Sequence, residues 1–202
     1  MTIKAVIWDL GGVLVRTEDR SRRIQWEQKL KLEPGELDRL VFEGATGRKA
    51  AMGQAQAADI WHALRDRFEL SDEEHRLLEE DFWAGDRVDQ VLITLIRALR
   101  PRYKIGLLSN AWPDLRQAIE DLWGIADAFD KVVISAEVGM AKPDPRIYQF
   151  VLEQLDVTAT QAIFIDDFAI NINAAKKLGM HTIHFTSATE TQVRLKKLLS
   201  DS

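Results

Sequence analysis

Asp9, Ser109, Asn110, Lys142, Asp166 and Asp167 are the residues of this 202-residue chain whose types and spacing could do chemistry together. Asp9 follows the apolar run Ala5-Val6-Ile7-Trp8 and precedes Leu10-Gly11-Gly12-Val13-Leu14. The run reads as a short buried strand, and the glycine pair lets the backbone turn tightly beside a ligand. An aspartate there is placed to act as a nucleophile or a metal ligand. Taken alone, a strand ending in an Asp-Gly turn is the plainer reading. A second acidic site shifts the balance: Ile163-Phe164-Ile165 delivers Asp166-Asp167 in the same way. Between them lie Leu107-Leu108-Ser109-Asn110 and Gly139-Met140-Ala141-Lys142-Pro143. Singly, Ser109 is a helix cap, Asn110 a turn residue, Lys142 a solvated lysine and the acid pair a helix start. Jointly, four strand ends each bring a chemically different group to one edge. That is the edge where open parallel sheets bind ligands.

Phosphoryl transfer needs such a set. A carboxylate attacks phosphorus and forms an aspartyl-phosphate. Repulsion between two anions must be offset, which a magnesium ion does when held by carboxylates and a backbone carbonyl. A lysine neutralises phosphate charge and orients the nucleophile, and a hydroxyl with nearby N–H groups takes the remaining oxygens. Asp9, Asp167, Lys142 and Ser109 supply those parts. Three acids without a cation repel one another, so the set itself argues for a metal.

The elements that must position these groups are legible as five apolar runs: Ile3 to Trp8, Lys104 to Leu108, Lys131 to Ile134, Ala162 to Ile165 and Thr182 to Phe185. Helical patterns separate the later ones. One spans Asp114 to Leu122, with Gly124 as a stop. The next spans Pro145 to Leu155, behind Asp144 as N-cap, and a third runs from Ile170 to Leu178, closed by Gly179. A final amphipathic helix starts near Glu190. Strands alternating with helices predict a doubly wound parallel α/β sheet. The stretch 17–86 breaks that rhythm. It shows no convincing buried strand, and Ile24, Leu30, Leu37, Leu40, Val41, Ile60, Leu64, Phe68, Leu77, Leu78, Phe82 and Trp83 recur at helical spacing. We therefore expect an inserted α-helical domain over 17–86, and a Rossmann-like core from 1–16 and 87–202. Trp26, Trp61 and Trp83 read as core of the inserted bundle. Gly44, Gly47 and Gly53 around Arg48 and Lys49 fit a substrate loop and a helix connection equally well.

Composition bounds the rest. The chain is 46% hydrophobic and 29% charged, an ordinary globular balance. It has no cysteine, which excludes disulfides, thiolate metal sites and a cysteine nucleophile. A net charge of -5 gives no electrostatic case for nucleic acid, and no stretch is long and apolar enough for a membrane span. Met1-Thr2-Ile3-Lys4 carries no signal-peptide pattern, so the expected location is the cytoplasm, as a monomer or small homo-oligomer.

The ordered set Asp9-Leu10-Gly11-Gly12-Val13, Ser109-Asn110, Lys142-Pro143 and Asp166-Asp167 with Asn171 resembles the four motifs of the haloacid dehalogenase-like (HAD) hydrolase superfamily. The resemblance covers essentially the whole chain, with the helical insertion similar to that family's type-1 cap. It implies a phosphohydrolase acting on a small phosphorylated metabolite, with Asp9 as nucleophile. Mg2+ would be held by Asp9, the Gly11 carbonyl and Asp167, with Asp166 acting through water or hydrogen bonds. Ser109, Asn110 and Lys142 would hold the phosphate. One position departs from the pattern: phosphatases of this kind carry a second aspartate two residues after the nucleophile, to protonate the leaving oxygen, and here it is Gly11. A better leaving group, a substitute acid such as His62 or His75, or weak turnover are the three consequences. Two readings compete within the family: a metal-independent 2-haloacid dehalogenase, which the Asp166-Asp167 pair opposes, and a phosphate- or partner-binding protein of the same fold. A receiver-type phosphoacceptor module has its acidic pair on the first strand and no cap, so the order here is wrong for it.

Overall fold

A computed structural model describes residues 2–200. Its centre is a five-stranded parallel sheet in the order β5-β4-β1-β6-β7. The strands are β1 (Ala5–Trp8), β4 (Lys104–Ser109), β5 (Lys131–Ile134), β6 (Ala162–Asp166) and β7 (His181–His184). All five were legible as apolar runs, to within two residues at each end. Side chains alternate across the sheet, as the pleat requires. Val6 and Trp8 join one buried cluster, with Leu107, Ile163 and Ile165. Ala5 and Ile7 join the other, with Leu108 and Phe164. Helices α6 (Gln90–Leu99) and α11 (Ala188–Ser200) cover the first face, and α9 (Pro145–Gln154) and α10 (Ala169–Lys177) the second. Asp144 caps α9 by accepting the Arg146 N–H at 2.9 Å, ahead of proline at the first helical position.

The insertion forms its own apolar cluster. Helix α1 (Ser21–Lys29) is followed by the short α2 (Glu36–Asp38), a π-helical turn Arg39–Glu43, and α3 (Ala45–Ala50). Helices α4 (Ala57–Phe68) and α5 (Asp72–Trp83) complete it. Leu37, Val41, Ile60, Trp61, Leu64, Leu78 and Phe82 fill its core. The glycine cluster resolves as a helix junction: a Cβ at Gly44 or Gly47 would strike the carbonyl of Leu40 or Val41 at 2.2 or 2.1 Å. The chain leaves and re-enters the main domain through an antiparallel ribbon, β2 (Val15–Thr17) paired with β3 (Asp86–Val88). This ribbon was not legible in the residues, because three-residue strands with charged members carry no apolar run.

Two expectations need correction. Ile24 is exposed, and the buried face of α1 is instead Arg23, Trp26 and Glu27. Trp83 is also exposed at 37%, unlike Trp26 and Trp61. Arg23 is the unexpected core residue. Its Nε donates to the Phe82 carbonyl at 2.7 Å and its Nη2 to Asp86 Oδ1 at 2.8 Å. It also pairs with Asp38, and its guanidinium lies 3.9 Å from the Phe82 ring centre. This side chain joins α1, the end of α5 and the ribbon. Arg23→Met should leave the Phe82 carbonyl without its donor and Asp86 with only the Thr17 hydroxyl, costing about 2–3 kcal/mol because Asp38 and Asp86 keep some solvent contact. Urea unfolding measures it, and a loss below about 0.5 kcal/mol would show that water already satisfies the network.

Candidate active site

Asp9 sits one residue past β1, anchored by its N–H donating to Ile165 O at 2.9 Å. The loop behind it is tight: the Leu10 carbonyl accepts the N–H groups of Val13, Leu14 and Val15. Gly12 has φ +78°, and a Cβ there would lie 2.2 Å from Asp167 Oδ2, so only glycine lets the loop close onto that acid. Gly11 is different. Its φ lies outside the left-handed region, and a Cβ there would meet nothing within 4 Å.

Lys142 is buried between two acids. Its Nζ lies 2.7 Å from Asp9 Oδ1 and 2.7 Å from Asp166 Oδ2. A lysine this enclosed is rare unless paired. Beneath it the Phe164 ring centre lies 5.6 Å away, and Tyr148 meets that ring edge-on. Burial alone would lower the Lys142 pKa, but Asp9 and Asp166 outweigh it and raise the pKa, keeping the ammonium charged. Burial pushes the Asp9 carboxyl up to about 7, opposed by Lys142 and assisted by Asp166. Tyr148 is raised by burial and then by both acids, so its hydroxyl stays protonated and donates to the Asn171 carbonyl at 3.2 Å.

Asp166 and Asp167 are not equivalent. Asp166 is fully buried and saturated. Its Oδ1 accepts from the Phe168 N–H at 2.8 Å and Asn171 Nδ2 at 3.0 Å, while its Oδ2 takes Lys142. Asp167 Oδ1 is buried without any hydrogen-bond partner. Burial and then Asp166 raise its pKa. Its backbone carbonyl is held by His184 Nε2 at 2.8 Å, which fixes the turn that presents it. Oxygens of Asp9, Asp166 and Asp167 lie within 4.8 Å of one another. An orphaned buried carboxylate oxygen in an all-oxygen cluster fits a hard divalent cation.

Of the phosphate-binding candidates, Ser109 ends β4 and is buried beside this cluster's edge of the sheet. The Asn110 side chain is engaged within the protein: its Nδ2 donates to the Lys142 carbonyl at 2.8 Å and its Oδ1 accepts the Lys142 N–H at 2.8 Å. Both ends of its carboxamide hold the Lys142 backbone. His62 and His75 face each other on α4 and α5, ring centres 5.4 Å apart.

Ser135, missed in the sequence, starts α8 (Ser135–Val138) at the end of β5. Its Oγ donates to the Ala51 carbonyl at 2.6 Å and accepts the Ala111 N–H at 3.0 Å, tying the helical insertion to the ends of β4 and β5. The pattern that marked Ser109, a serine closing an apolar run, recurs at Ile134-Ser135 and was the available signal.

Comparison with known proteins agrees with this arrangement. A family model described as haloacid dehalogenase-like hydrolase matches residues 3–179. A sesquiterpene phosphatase of Aspergillus oryzae is 28% identical over 201 residues, covering 98% of this chain and 97% of that one. A D-ribitol-5-phosphate phosphatase of Bacteroides thetaiotaomicron is 29% identical over 210 residues, covering 98% and 99%. A crystal structure of a HAD family enzyme from Bacteroides thetaiotaomicron, in complex with magnesium and inorganic phosphate, superposes with a TM-score of 0.75 at 25% identity, over 92% of this chain and 96% of that one.

Proposed function

The chain belongs to the haloacid dehalogenase-like hydrolase family, and from that premise we propose that it hydrolyses small phosphomonoesters through an aspartyl-phosphate on Asp9. The observation that carries this reading is the asymmetry of the acids: Lys142 joins Asp9 and Asp166, while Asp167 keeps a buried oxygen unpaired. The two full-length relatives support it, since both are named as phosphatases.

In this reading Asp9 attacks phosphorus, the bond to the leaving oxygen breaks, and the leaving group takes a proton. Water then attacks the aspartyl-phosphate, releasing inorganic phosphate and restoring Asp9. Lys142 orients Asp9 through Oδ1 and balances charge that the phosphate adds. Asp166 holds Lys142, and Asn110 holds its backbone. Ser109 offers a hydroxyl to a phosphate oxygen. Asp9, Asp167 and the Gly11 carbonyl would hold Mg2+, which when bound offsets repulsion between nucleophile and phosphate and favours the ionised acids. The helical insertion acts as a cap over this edge, consistent with the Ser135–Ala51 tie. Phosphate release from p-nitrophenyl phosphate with magnesium tests the reading. Halide release from a 2-haloacid without added metal would replace it with the dehalogenase.

The site lacks an acid at position 11, and that favours leaving groups needing little protonation. Gly11→Asp should restore one without strain, because the backbone angle is ordinary and the space is open. It should raise kcat/KM on alkyl phosphates by about 10–100-fold, and less on aryl ones. Equal wild-type rates on alkyl and aryl phosphates would show that another group already donates the proton.

A further inference from the structure

Three aromatic rings form a wall that the phosphatase chemistry above does not use. Trp112 lies three residues beyond Ser109, in the loop leaving β4, and is the core-domain residue that enters the buried cluster of the insertion. Phe42, in the π-helical turn, stacks on it with ring centres 5.6 Å apart and planes at 27°. Trp83, at the end of α5, meets Trp112 edge-on at 5.8 Å and Phe42 at 6.0 Å. Trp112 is buried, but Phe42 and Trp83 remain 44% and 37% exposed. Phe82 and Trp61 pack behind them and are fully buried, so the wall has a rigid backing. Large rings left exposed in mutual contact and rooted in buried aromatics form a surface prepared for an apolar ligand.

Its position and the chemistry of Gly11 identify that ligand. The wall is rooted, through Trp112, in the loop that leaves the strand carrying Ser109, and the insertion is tied to the ends of β4 and β5 through the Ser135 hydroxyl and the Ala51 carbonyl. Gly11 supplies no proton and leaves open space next to Asp9. A missing acid at position 11 favours a substrate with its own good leaving group, and the wall accepts a flat apolar one. Resting on the phosphomonoesterase reading, we propose that Phe42 and Trp83, backed by Trp112, bind the leaving group of the substrate and select aryl phosphates, in which the phosphate ester oxygen is attached to an unsaturated ring. The ring stacks on the wall while the phosphate reaches Asp9 and Lys142.

The test separates ring recognition from leaving-group acidity. The full-length protein is assayed with 1-naphthyl phosphate, phenyl phosphate and acetyl phosphate; the last has an acidic leaving group and no ring. We expect KM to fall in the order acetyl, phenyl, naphthyl. The pair of substitutions Phe42→Ala and Trp83→Ala should raise KM for 1-naphthyl phosphate about tenfold relative to acetyl phosphate, with a smaller change in kcat. Phe42→Leu with Trp83→Leu keeps apolar bulk and removes both rings; it should give the same direction, and it serves if the alanine pair folds poorly. A naphthyl-to-acetyl KM ratio unchanged by the leucine pair would overturn the proposal. Phosphate release from none of the three substrates by the wild-type protein would overturn the phosphatase reading, and this proposal with it.

Discussion

Asp9→Asn is expected to lower phosphate release by about 10⁴-fold or more while leaving the protein folded. An amide occupies the same volume but cannot displace an alkoxide from phosphorus. The fold should survive because Asp9 is not the sole partner of the buried Lys142, whose Nζ keeps Asp166 Oδ2 at 2.7 Å. Nor does the backbone anchor depend on the side chain, since it runs from the Asp9 N–H to Ile165 O. Removing a carboxyl that burial has already pushed up to about 7 also removes a desolvation cost, which offsets part of the lost ion pair. Single-turnover phosphate release with an aryl phosphate measures the effect, with circular dichroism reporting the fold. Release within tenfold of wild type from folded Asp9→Asn protein would rule Asp9 out as the nucleophile.

The sheet and its acidic edge were legible because both are written locally. Each strand is an apolar run bounded by polar or glycine residues, and each candidate group terminates or follows one. The inequality of Asp166 and Asp167 was not legible in the residues themselves, since it depends on which acid meets Lys142, Asn171 and the Phe168 N–H. The hold of Asn110 on the Lys142 backbone was hidden for the same reason: its two hydrogen bonds reach 32 residues along the chain. In the insertion, periodicity found the helices but misassigned faces. It placed Ile24 inside where Arg23 is buried, because a guanidinium satisfied by Phe82, Asp38 and Asp86 defeats a rule that reads charge as exposure. Trp83 was read as core since aromatics at helical spacing usually pack; its partner Trp112 comes from the loop after β4 and lies beyond any local pattern.

Removing divalent metal is expected to reduce phosphate release to background, and added magnesium to restore it. Asp9, Asp166 and Asp167 crowd three carboxylates into one cluster, and among the described residues Lys142 is the cation paired with two of them. Asp166 is neutralised and hydrogen-bonded, so it needs nothing more. Asp167 Oδ1 is buried with no partner, a state that costs about 1–3 kcal/mol unless something fills it. An incoming phosphate would add further negative charge to the same space. A ligand set made only of oxygen suits magnesium and gives zinc little advantage. Binding can be read without turnover. Magnesium should raise the midpoint of thermal unfolding in wild-type protein, as any ligand selective for the native state does. In Asp167→Asn that rise should be largely lost, although the unliganded variant should be no less stable than wild type, because it no longer buries an unpaired carboxylate oxygen. Full phosphate release after exhaustive chelation, with no magnesium-dependent shift in unfolding, would exclude a metal at this cluster.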